Sequence, residues 1–162
     1  MSEKAYAEDI NYFDTTVHPA KSLGEIQEML DDFGVGNIMV TQGQSGGKHA
    51  WMIRFMWKGN PYRFIFFPLP CRQPRAKRSF GGKRRSFEEQ ARWQMGRIAV
   101  YFVKAILTAA GAHPHALFGF KEIAAAGAPG HLPPTAGELN VDGLVKALPD
   151  LDIPLSMPQL ED

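Results

Sequence analysis

At 162 residues, with 44% hydrophobic and 22% charged side chains, the chain suits one domain with a sizeable core and is too apolar for wholesale disorder. A formal net charge of +1 excludes a global polyanion-binding field, so any such binding needs a local patch. The single cysteine, Cys71, excludes an intrachain disulfide and a cysteine-based zinc site.

Residues 1–14 hold no apolar run of the signal-peptide kind. The most apolar stretch, residues 98–110, is too short to span a bilayer and contains Lys104, so the expected location is the cytoplasm. Residues 1–20 are mixed and polar and read as a loose N-terminal arm. Ser22-Leu23-Gly24-Glu25 reads as a capping box, in which serine and glutamate satisfy each other's free backbone N–H groups. Ile26, Met29, Leu30 and Phe33 follow at helical spacing, and Gly34 supplies a left-handed stop.

Three strands are expected next, over residues 35–42, 48–58 and up to Pro68, with a turn at residues 44–47. The second alternates Trp51, Ile53, Phe55 and Trp57 on one face with Met52, Arg54 and Met56 on the other. A two-residue turn at Gly59-Asn60 would set Trp57 opposite Tyr62, Phe55 opposite Phe64, Ile53 opposite Phe66 and Met56 opposite Arg63. Arg54 and Arg63 then share the second face, whereas a one-residue slip would mix the faces.

The loop after Pro70 holds Arg72, Arg75, Lys77, Arg78, Lys83, Arg84 and Arg85 with no acidic residue, and Gly81-Gly82 makes its centre flexible. Ser86-Phe87-Glu88-Glu89 is a second capping box. It opens a long helix to about Ala110, amphipathic at first and apolar almost all round over residues 98–107. A short helix over residues 116–125, a Gly/Pro connector over 127–134, a modest helix over 141–148 and a Pro-punctuated acidic tail complete the chain. The expected architecture is α+β, with a helix, a three-stranded antiparallel meander, a long helix and short C-terminal helices. Its division is an arm (1–20), a core domain (21–126) and an extension (127–162). The order of elements resembles that of double-stranded RNA-binding domains, without their motif residues, and one topology hosts many functions.

Seven cations without one acid across residues 72–85 point to phosphate contact, since arginine and lysine on a loop release counterions condensed on a nucleic acid. The competing home for these cations is a solvated loop touching carboxylates of its own fold. Arg54, Lys58 and Arg63 would extend the groove if the second sheet face is open. Trp51, Phe55, Trp57, Tyr62, Phe64 and Phe66 are expected in the core. Any that stay exposed could stack on unpaired bases at about 1–3 kcal/mol per base.

Other chemistry finds little support. Metal-dependent nucleases need clustered carboxylates, and residues 48–67 contain no Asp or Glu. There is no G-x-S-x-G, Walker loop or H-E-x-x-H, and Gly81-Gly82-Lys83 lacks the glycine spacing and hydroxyl of a P-loop. His113-Pro114-His115 has no carboxylate or cysteine near it at ligand spacing. No cofactor or metal is implied. Asp150-Leu151-Asp152-Ile153-Pro154-Leu155 resembles the acidic tip of bacterial single-stranded-DNA-binding proteins, which implies a protein partner through the tail; here it is internal, with leucine for phenylalanine.

Lys21-Ser22-x-x-Glu25-Ile26, Tyr62-Arg63-Phe64 with Pro68-Leu69-Pro70, Arg85-Ser86-Phe87-Glu88-Glu89-Gln90 and Val103-Lys104-Ala105 together resemble a group of small phage and prophage proteins, over about residues 15–123. That group continues after its long helix with an acidic, Phe-containing helix, which Leu117-Phe118-Gly119-Phe120 matches only in part. The resemblance implies a phage or mobile-element origin and supplies no established catalytic residues.

The expected function is a nucleic-acid-binding accessory protein for single-stranded DNA in replication or recombination. Its contacts would be Arg54, Lys58, Arg63, Arg72, Arg75, Lys77, Arg78, Lys83, Arg84 and Arg85. A protein–protein adaptor or inhibitor of host machinery is the first alternative, and a small metal-dependent enzyme the second. Meander edges also leave room for a homo-oligomer.

Overall fold

The computed structural model describes residues 5–45 and 47–139, and its elements follow the α+β order read from the sequence. They are α1 (Pro19–Phe33), β1 (Gly36–Ser45), β2 (Lys48–Trp57), β3 (Asn60–Phe66), β4 (Lys77–Phe80), β5 (Lys83–Ser86) and α2 (Phe87–Ala112), with 3-10 turns at Ala7–Asp9, Pro114–Phe120 and Ala124–Ala126. The helix expected over 141–148 and the acidic tail lie outside the described residues.

α1 opens earlier than expected. His18 is its N-cap, its Nδ1 accepting from Ala20 N at 3.0 Å, and Pro19 takes the first helical position, where its missing N–H costs nothing. Ser22 is therefore no cap: it is fully buried where α1 crosses α2, and a Cβ on Gly96 would lie 3.1 Å from it. Gly34 does terminate α1, at φ +92°. Ser86 caps α2 as expected, its hydroxyl accepting from Glu89 N.

β1, β2 and β3 form an antiparallel sheet in that order, with an irregularity in β1 between Gly36 and Met39. The face segregation is the one expected, but the β2–β3 register differs by two residues: Phe55 pairs with Tyr62, Ile53 with Phe64, Trp51 with Phe66 and Arg54 with Arg63. The turn is Lys58-Gly59, both at positive φ, rather than Gly59-Asn60. Pro61 explains the difference. The residues that close a two-residue hairpin exchange both hydrogen bonds, and the expected register would have asked proline for an N–H. In the observed register Trp57 and Asn60 close the turn, and Pro61 O faces outward to accept from Glu122 N at 2.9 Å.

The aromatic face is core. Trp51, Ile53, Phe55 and Phe64 pack with Leu23, Ile26 and Leu30 of α1 and Met95, Ala99, Val103 and Leu107 of α2. By length and composition α2 could cross a bilayer, with a mean hydropathy of 1.3 over 18 residues, but its apolar stripe here closes the core of a small globular domain. The second sheet face leaves Met39, Ile65 and Phe67 exposed, and among the described residues no strand pairs with the outer edge of β1.

Two departures reshape the basic segment. Residues 77–86 are not a mobile loop but a second, two-stranded sheet, β4–β5, in which Phe80 pairs with Lys83 and Gly81-Gly82 forms the turn at φ +58° and +82°. A turn with both central residues at positive φ has the twist of the strands it joins, so the two glycines fix the hairpin instead of loosening the segment. Nor are the described residues of the N-terminal arm loose: Ala7 and Phe13 are buried with Phe80 and Ala91, beside Phe87. Gln94 Nε2 donates to Ala7 O, Ile10 O and Asn11 O, and Gln90 Nε2 to Phe13 O and Thr15 O. Two glutamines one turn apart on α2 thus satisfy the carbonyls of an arm that lacks regular pairing of its own.

The region expected as a helix over 116–125 is instead two 3-10 turns joined at Lys121 and Glu122. Tyr62 bridges to Lys121 and Glu122 to Thr135, so this segment covers the β3 edge.

Candidate nucleic-acid interface

The ten cations read from the sequence separate into three groups. Arg54 and Arg63 face each other across β2 and β3, an arrangement that repels unless an anion intervenes. Glu122 intervenes. Arg54 reaches it with two 2.8 Å hydrogen bonds, and Arg63 Nη1 lies 3.6 Å from it. Arg63 also donates to Glu138 at 2.7 Å and to Pro133 O, and is buried. These two arginines clamp residues 121–138 onto the sheet.

The second group is held by the arm and by α2. Arg72 pairs with Asp9, its Nη1 donating to Oδ1 at 2.8 Å, and Glu8 Oε1 accepts from the backbone of Arg72 and Gln73. Arg78 pairs with Asp14 and lies over the Phe80 ring at 4.8 Å. Arg85 is buried without a carboxylate: Nε donates to Gln90 Oε1 at 2.9 Å, and the guanidinium sits 3.6 Å from the centre of the Trp93 ring. A cation over an indole face is stabilised by the ring quadrupole, which offsets part of its desolvation.

The third group is exposed. Arg75, Lys77, Lys83 and Arg84 have no carboxylate partner among the described residues. The register explains why. Arg78, Phe80 and Arg85 turn toward the arm and Trp93, while Lys77, Ser79 and Arg84 alternate onto the outer side, with Lys83 at the tip. Lys58 is also exposed, over the Trp57 ring at 4.6 Å, but its turn lies at the far end of β3 from the linker that leads to this hairpin.

The hairpin is firmly based. Phe87 N donates to Ala76 O and Glu88 N to Pro74 O, so the first amides of α2 are already satisfied. The helix start is therefore no anion site by itself.

No family model matches the chain, nor does any curated protein or solved structure. What the site does must be read from its own geometry.

Three residues belong beside this group that sequence reasoning did not select: Lys48, His49 and Arg92. They line a cleft of about 710 Å³ with Arg75, Cys71 and the prolines of residues 68–74. No local spacing marks them, because the linker that carries the chain from the end of β3 to the foot of α2 is what brings them together. Burial and then the Arg92 charge push His49 below its ordinary value.

Among the described residues no group of three or more His, Cys, Asp or Glu side chains could hold a metal. Cys71 donates to Phe87 O at 3.4 Å, and burial, then Glu8 and Glu88, push its thiol up to about 11. At pH 7 only about one thiol in ten thousand is then thiolate. Ellman's reagent should modify Cys71 far more slowly in the native chain than in urea. The stability contributed by this neutral thiol is present below the ordinary value of 9.0 and is lost as pH rises through about 11.

Proposed function

We propose that this chain is a cytoplasmic nucleic-acid-binding accessory protein, acting in phage or mobile-element replication or recombination, that grips phosphates with the outer side of the β4–β5 hairpin. One observation carries the reading: Lys77, Lys83 and Arg84 stand on one ribbon and Arg75 in the linker just before it, without an ion pair among the described residues, in a chain whose net charge is only +1. Charge left over by the fold, and concentrated there, is what a polyanion would use. The origin rests on the sequence resemblance alone.

The aromatic sheet face is occupied by the core, so base stacking on the meander no longer favours single strands. A basic two-stranded ribbon also suits a duplex groove. The proposed ligand is therefore the sugar-phosphate backbone of DNA, single-stranded or duplex.

Fluorescence anisotropy with both forms of DNA, across a salt series, tests this. Affinity should fall log-linearly with salt at about 0.9 of slope per phosphate contact. Changing Arg75, Lys77, Lys83 and Arg84 together to alanine should weaken binding about a hundredfold at low salt and flatten that slope. Absence of binding at low salt would sink the proposal. It would favour the adaptor reading instead, which rests on Met39, Ile65 and Phe67, exposed on the second sheet face, and on the open edge of β1.

A further inference from the structure

The cleft at the foot of the hairpin carries more than backbone steering requires. Lys48 enters it from the start of β2, Arg75 from the linker, and Arg92 from the second turn of α2. Lys48 and Arg75 have no carboxylate partner among the described residues, and Arg92 has only Glu88 on its own helix, at 3.9 Å. Three cations against one loosely held carboxylate leave a local excess of two positive charges. A phosphodiester supplies one negative charge, whereas a phosphomonoester supplies about 1.5 to 2 at neutral pH.

The rest of the lining fits a nucleotide. Pro68, Leu69, Pro70 and Ala91 provide an apolar wall, and His49 lies beside the cations. The volume, about 710 Å³, falls in the range of small-molecule sites. Burial first, and then the Arg92 charge, lower the His49 pKa, so this ring lies within reach of the Arg92 field. Cys71 also lines it, its thiol donating to Phe87 O and pushed up to about 11 by burial, then by Glu8 and Glu88.

We infer that this cleft is a phosphomonoester site that seats the phosphorylated end of a nucleic-acid strand whose backbone crosses the β4–β5 hairpin. The strand as source of the phosphate rests on the function proposed above; the cation cluster does not. Arg75 lies both beside the hairpin and in the cleft, so one strand can run from Lys83 and Arg84 past Lys77 to Arg75, Arg92 and Lys48.

The test uses the whole chain. Anisotropy would compare oligonucleotides of one sequence carrying a 5′-phosphate, a 3′-phosphate or neither. The ring signals of His49 would be followed by NMR with inorganic phosphate, a nucleoside monophosphate and a phosphoserine peptide. One phosphorylated oligonucleotide should bind about tenfold tighter than its unphosphorylated twin, the effect of one added charge-assisted contact. Inorganic phosphate and the monophosphate should shift His49. Arg92→Ala and Lys48→Ala, both at exposed positions, should weaken the phosphorylated strand about tenfold more than its twin, so that the gain from the terminal phosphate disappears.

Equal affinities with an unmoved His49 would overturn the inference and leave the nucleic-acid reading standing. A His49 shift with the monophosphate, without binding of any oligonucleotide, would retain the site with a free nucleotide as its source and remove the nucleic-acid reading. A shift with the phosphopeptide alone would overturn the nucleotide assignment.

Discussion

Replacing Glu122 by alanine is expected to destabilise the domain by about 3 kcal/mol, because it removes the buried carboxylate that stands between Arg54 and Arg63. Glu122 is almost wholly buried and receives both hydrogen bonds from Arg54, while Arg63, 7% exposed, sits 3.6 Å away. Without it, two arginines opposite each other in adjacent strands repel. The bridge from Glu122 to Thr135 and the bond from Arg63 to Pro133 O would lose their anchor together. Urea denaturation at pH 7 reads the loss, and thermal unfolding should shift down by on the order of 10 °C. Glu122→Gln keeps an acceptor without the charge and should fall between. Glu138→Ala is the contrast: that side chain is 43% exposed, and screened pairs of this kind are worth about 1 kcal/mol or less. Equal costs at the two positions would show that burial does not set the hierarchy.

The same clamp shows what could be read from sequence. Alternation over residues 51–57 and 62–66 identified the core face, since a period of two survives any even shift in register. That is why the faces held while the pairing moved by two. The shift itself turns on one missing N–H at Pro61, a local signal that was present and outweighed by the preference for glycine first in the turn. Gly81-Gly82 was legible in the same way. Flanked by charged residues in place of alternating apolar ones, it read as flexibility, although two adjacent glycines are also what a turn with two positive φ values requires.

Other features had no local signature at all. Glu122 and Glu138 lie 68 and 75 residues beyond the arginines they neutralise. Asp9 and Asp14 meet Arg72 and Arg78 only because Gln90 and Gln94 hold the arm on α2. The cations therefore looked alike in sequence. Long-range pairing is what left Arg75, Lys77, Lys83 and Arg84 over.

That pairing leads to the second large effect. Changing Gln90 and Gln94 together to leucine should detach the arm, at about 3–5 kcal/mol of local stability, since five backbone carbonyls and the Arg85 Nε–H lose their partners. The cost is local because the arm can leave while the sheet, α1 and the second half of α2 keep their own packing. Hydrogen exchange should rise across residues 7–17 and stay slow in β2. If the hairpin contacts phosphates, DNA affinity should move the opposite way. Departure of the arm withdraws Glu8, Asp9 and Asp14 from the basic segment and releases Arg72 and Arg78, steepening the salt dependence by about 1.8 for two added contacts. Asp9→Asn with Asp14→Asn separates charge from docking, because the glutamine bonds remain and Phe13 still supports Phe80. That variant should bind DNA more tightly with little change in stability, since both pairs are exposed. Affinity that falls in both variants would mean that the arm's carboxylates do not compete with phosphate for these arginines.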